Sequence, residues 1–176
     1  MPLGDRPLNQ LIAPIIFLML VATGCSADGE STTTTAATSR ADIGTLTITG
    51  TECSFDVVEG QISSGVLSMT VSNESSVPGA ADVFMILEGY SFDELVAHVE
   101  EEARRAEAGE AVLGHPSSVL ARSASSGTGL LEAGESTAIE VDAEDPGDYA
   151  IVCIRHHEGA NGPRPFAVVG PFEVVG

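Results

Sequence analysis

The sequence predicts an all-β domain, a sandwich or barrel, interrupted by one helix. Three observations carry this. Short segments alternate polar and apolar residues with the two-residue period of a half-buried strand. Gly, Pro, Asn and Ser clusters punctuate them at short intervals. A single stretch switches to helical spacing and opens with a capping signal. The 176-residue chain is 43% hydrophobic and 19% charged, which suits one domain with a real core rather than a disordered polymer.

Taken in order, Thr45-Leu46-Thr47-Ile48-Thr49 opens the folded part, read from Ile43 onward, as an alternating strand. Phe55, Val57 and Val58 follow Cys53 as a second strand that stops at Glu59-Gly60-Gln61. Leu67, Met69 and Val71 alternate with Ser68, Thr70 and Ser72, and Asn73-Glu74-Ser75-Ser76 closes that strand with turn-forming residues. Asp82-Val83-Phe84-Met85-Ile86-Leu87 is nearly continuous in apolar character, as a central strand is. Further strands are expected over residues 137–141, 149–154 and 166–175.

The helix starts at Ser91-Phe92-Asp93-Glu94, where Ser at the N-cap and Glu three residues on have capping-box spacing. Phe92, Leu95, Val96, Val99, Ala103 and Ala106 then share one face. Glu100/Arg104 and Glu101/Arg105 are i,i+4 pairs of the favourable orientation, and Gly109 is the expected stop. Residues 111–129 read as a long Ser/Gly-rich loop, so the insertion spans about 91–129.

The N-terminal residues carry an address. Arg6 and the apolar run 11–22, too short to span a bilayer, read as a signal peptide over residues 1–24. Val21-Ala22-Thr23-Gly24-Cys25 resembles a bacterial lipobox, which makes Cys25 the expected lipidation site. Residues 25–42, rich in Ser, Thr and Ala, are expected to act as a flexible tether. At ~3.3 Å per residue such a tether reaches about 50 Å. The domain at 43–176 is therefore expected on the extracytoplasmic face of the cell membrane, held through the lipid.

Net charge is −19 with a pI of about 4.2, and all seven basic residues are arginines. That balance excludes nucleic acid as a partner, because phosphate binding needs a cationic face. It also excludes binding of anionic lipid through the domain surface. No Gly-x-Ser-x-Gly elbow, His-Glu-x-x-His or phosphate loop is present, so no enzyme activity is expected. The remaining partners are a metal ion or a protein at the cell surface.

The segment Pro146-Gly147-Asp148-Tyr149-Ala150-Ile151-Val152-Cys153-Ile154-Arg155-His156 reads as a tight turn leading into a strand whose tip presents a thiol and an imidazole. Cys153 and His156 together suit a soft or borderline metal such as copper, with His157 adjacent as a further imidazole. Alternatively, in an oxidising compartment Cys53 and Cys153 form a disulfide and leave no thiolate. Their separation of 100 residues would make such a bond worth up to about 4.7 kcal/mol in the chain-entropy model. His98 on the helix and His115 in the loop are not placed by the sequence.

The turn at Pro146-Gly147 with Tyr149, Cys153 and His156 resembles the C-terminal ligand loop of the cupredoxins. The resemblance covers 43–175, with 91–129 as the insertion. It implies a Greek-key β-sandwich and, where the ligand set is complete, a copper site of two His, one Cys and usually an axial Met. Carried over, Cys153 takes the thiolate position and His156 the second-imidazole position. Asn161 stands where the axial Met is expected, and residues 73–84 hold no His to supply the first imidazole. A closer resemblance is to the cupredoxin-like domains of EfeO-type iron-uptake lipoproteins and related actinobacterial lipoproteins. In those, a Cys near the first strands pairs with one after a Gly-x-Tyr turn, the places of Cys53 and Cys153. The resemblance implies a disulfide-stapled binding or accessory module, with electron transfer or copper trafficking through Cys153 and His156 as the alternative.

Overall fold

The structure is a computed structural model that describes residues 40–58, 60–110, 119–125, 127–156 and 162–176. Nine strands and one helix follow in chain order: β1 (Ala41–Thr49), β2 (Glu52–Val57), β3 (Ile62–Ser63), β4 (Gly65–Asn73), β5 (Gly79–Ile86), α1 (Phe92–Ala108), β6 (Ala121–Ser123), β7 (Ser136–Ala143), β8 (Gly147–Arg155) and β9 (Arg164–Val175). They form two sheets, β2-β1-β4-β7 and β3-β9-β8-β5-β6. The predicted all-β sandwich with one inserted helix is what the chain builds.

The chain crosses repeatedly between sheets, so only β1–β2, β5–β6 and β8–β9 pair with their sequence neighbours. The first strand begins at Ala41, two residues before Ile43. Within it, Gly44 adopts φ +135°, and a side chain there would collide with the Asp56 carbonyl of the neighbouring β2. The strand bulges between Asp42 and Thr45, which re-aims the alternation so that Ile43, Leu46 and Ile48 all enter the core. Leu67, Met69 and Val71 of β4 and Ile139 and Val141 of β7 share that face of the sheet, and Tyr149, Ile151 and Cys153 of β8 oppose them from the other sheet. Val57 and Val58 do not join this core. They are about half exposed, because β2 is an edge strand and its end has no covering layer.

β8 is buried on both faces, from Tyr149 through Cys153. Its odd residues face the inter-sheet core, while Ala150 and Val152 face α1. The helix covers the outer side of the second sheet through Leu95 and Val99, with Phe92 half-buried beside them. This third layer explains why β5 is apolar at successive positions. At the helix start Ser91 and Glu94 close the predicted capping box, and Gly109 ends it in the left-handed conformation.

Two details of the helix differ from expectation. Arg104 binds Glu101 through Nε and Nη2, both at 2.8 Å, rather than Glu100. The Glu101 carboxylate also accepts from Arg105, so one carboxylate serves both arginines. It is held down to about 2 from its ordinary value near 4.5, first by the hydrogen bond from Arg104 and then by that from Arg105. Second, the packed face ends in Glu102, which is buried.

The predicted loop at 111–129 is partly strand. Its residues 121–123 form β6 on β5, and Ala124 and Thr128 continue the ladder with bonds to the Val83 and Ala81 carbonyls. The Ser125 and Thr128 hydroxyls accept from the Val83 and Ala81 amides, which satisfies the outer edge of β5. Residues 111–118 lie outside the described part, as does His115.

Candidate functional site

Of the residues singled out by sequence, Cys53, Cys153 and His156 are among those described, and His156 lies at one end of the sandwich, where the β4–β5 turn meets the end of β8. Gly79 pairs with Arg155 and Ala81 with Cys153. Just beyond the strand, the His156 amide donates to the Pro78 carbonyl at 2.8 Å. The imidazole of His156 is exposed. His157 lies outside the described residues, as do Glu158, Asn161 and the lipidation residue Cys25. His98 is half-buried on α1, in another layer of the fold.

Cys153 is not at the strand tip. It is fully buried inside β8, facing the inter-sheet core, and is disulfide-bonded to Cys53 with a Cα–Cα distance of 6.7 Å. The bond ties β2 of one sheet to β8 of the other. Both sulfurs are thereby removed from the set of available ligands.

In this arrangement the Cys153 sulfur is taken up in the disulfide, and the β5 residues paired with the end of β8 are Gly79, Ala80 and Ala81. Among the described residues, no three His, Cys, Asp or Glu side chains are grouped so as to hold a metal. Among the described residues, the β8 end offers the exposed imidazole of His156 at the end of a cross-linked strand.

The turn at this end is held by a residue that sequence reasoning treated only as a strand stop. Asn73 is completely buried. Its Nδ2 donates to the carbonyls of Val77 (2.9 Å), Leu131 (2.8 Å) and Glu132 (3.2 Å). Its Oδ1 accepts from the Ser75 amide and hydroxyl. The Gly79 and Leu131 backbones add a reciprocal pair of bonds at 2.7 and 3.0 Å. The signal for this hub was an Asn in phase with the apolar Leu67, Met69 and Val71 of its strand, but two of its partners are 58 and 59 residues away.

At the opposite end Tyr149 donates its hydroxyl to the Asp145 carbonyl at 2.8 Å. Burial pushes the phenol pKa up, and nearby Asp145 and Asp142 push the same way while Arg122 opposes them. Asp145 in turn pairs with Arg122. An open acidic groove lies between β7 and the segment after β6, with Glu140, Asp142 and Glu144 along it. Glu140 is paired with Arg40.

Compared by sequence with known protein families and with curated proteins, the chain matches none. Among solved structures it is similar to sodium-dithionite-reduced auracyanin from the photosynthetic bacterium Roseiflexus castenholzii. The TM-score is 0.41 at 18% identity, over 75% of this chain and 95% of that one.

Proposed function

We propose that this chain is a lipid-anchored, cupredoxin-like binding module on the extracytoplasmic face of the cell membrane. In this reading it is a non-enzymatic accessory to metal uptake and does not carry a type 1 copper centre of its own. The observation that supports it is the Cys53–Cys153 disulfide, which makes the residue at the copper-thiolate position a structural staple. The lipobox-like Val21-Ala22-Thr23-Gly24-Cys25 supports the anchor, and the 25–42 segment a tether. With the thiolate removed, any metal would be held weakly and exchangeably, by His156 and His157 with carboxylates such as Glu158. The electron-transfer alternative through Cys153 and His156 requires that disulfide to be open.

Two measurements test the reading. Addition of Cu(II) to the purified, unreduced protein should give no intense thiolate-to-copper absorption. One copper per chain with that band would overturn the accessory reading. Cell fractionation should find the protein in the membrane and the Cys25→Ala variant released from it. Membrane retention of that variant would refute the anchor.

A further inference from the structure

The six arginines among the described residues divide into two groups. Arg40, Arg104, Arg105 and Arg122 each pair with a carboxylate. Arg155 and Arg164 do not: among the described residues, no carboxylate lies within ion-pair distance of either guanidinium. In a chain with 26 acidic residues and net charge −19, two cations that have no carboxylate partner among the described residues stand out. They are also direct cross-strand partners in the β8–β9 ladder. Like charges placed opposite one another in a sheet repel, so this pairing costs stability unless an anion sits between them.

Their surroundings suit an anion. The Arg155 guanidinium lies over the Phe166 ring, 5.2 Å from its centroid. That stacking holds the plane while leaving the N–H edge free for a planar acceptor. Arg164 Nε is buried and, among the described residues, has no hydrogen-bond partner. A buried donor left unpaired loses its hydration without a replacement, which favours an acceptor there. Both side chains line a recess between the C-terminal half of α1 and the start of β9, floored by Ala103, Ala106 and Pro165. It measures about 20 Å³, room for about one water, so a single ligand oxygen can enter it while the rest of the ligand stays outside.

We propose that Arg155 and Arg164 form a binding site for the carboxylate of a small monoanion whose apolar body rests on Phe166 and Pro165. A carboxylate matches the guanidinium fork bidentately. A phosphate dianion is disfavoured by Glu107, which also lines the recess, and by the strongly negative chain. The site is independent of the metal-accessory reading and survives its failure.

The test is amide chemical-shift titration of the purified protein with sodium benzoate, sodium acetate and inorganic phosphate at constant ionic strength. Saturable shifts confined to the end of β8, the start of β9 and the last turns of α1 are expected. Benzoate should bind more tightly than acetate, and phosphate most weakly. Arg164→Gln and Arg164→Lys should each weaken benzoate about tenfold or more, which corresponds to the loss of one charge-assisted hydrogen bond. The Lys variant keeps the charge and guards against a fold that fails for lack of it. Arg40→Gln should leave the affinity within twofold. Absence of saturable shifts, full affinity in Arg164→Lys, or tighter binding of phosphate than of benzoate would each overturn the proposal.

Discussion

Replacement of Asn73 by Ala isolates the device that shapes the β4–β5 end of the sandwich. The amide carries two N–H donors, so the 3.2 Å contact to the Glu132 carbonyl shares a hydrogen with a stronger bond. That leaves two strong donated bonds, to Val77 and Leu131, and two accepted from Ser75. Each contributes about 1 kcal/mol net, and a buried partner left unsatisfied costs about 1–3 kcal/mol. The Ser75 hydroxyl loses little, because its one hydrogen is shared with the Val77 carbonyl, while the Ser75 amide loses its acceptor. The Leu131 carbonyl keeps its bond from the Gly79 amide. The expected loss is therefore about 3–4 kcal/mol rather than the sum of all contacts. Urea denaturation of the oxidised protein should show it as a lower midpoint at unchanged slope. Asn73→Asp should be at least as damaging, since it aims a carboxylate at three carbonyls. A loss below about 1 kcal/mol in Asn73→Ala would refute the hub.

Other outcomes follow from the same structure. The paired replacement Cys53→Ala/Cys153→Ala should lower stability by about 3–5 kcal/mol in thermal or urea denaturation, near the chain-entropy value for a 100-residue loop. Ser91→Ala removes the N-cap acceptor of α1 and should cost about 1 kcal/mol, read from the same denaturation curves. Because the Glu101 pKa is lowered on folding, its contribution is fully present above its ordinary value near 4.5 and is lost as pH falls toward about 2. A carboxyl NMR titration should place the Glu101 midpoint near 2, and Arg104→Gln should raise it.

Much of the fold was legible because its causes are local. Leu67, Met69 and Val71 enter the core at the spacing that identified their strand. The Ser91/Glu94 box set the helix start because its hydrogen bonds span only three residues. β3 and β6 were not legible, since two or three residues show no period and exist only through pairing with β9 and β5. Val57 follows Phe55 in strand alternation yet is about half exposed, since alternation does not report that β2 lies at a sheet edge. The site was harder to read. Cysteine spacing left Cys153 open to copper or to a disulfide, because the choice depends on bringing β2 against β8. Asn73 looked like a turn residue because its partners arrive from a segment far along the chain. Arg155 and Arg164 stand apart only once the ladder aligns them.

Whether Cys153 is a staple or a copper thiolate is tested most directly by a non-reducing digest of the protein as isolated from its native cells. Mass spectrometry should find the Cys53 and Cys153 peptides joined in nearly every molecule, separating only after reduction. Recovery of Cys153 as a free, alkylatable thiol in most molecules would contradict the account and return the segment from Tyr149 to His156 to the copper proteins.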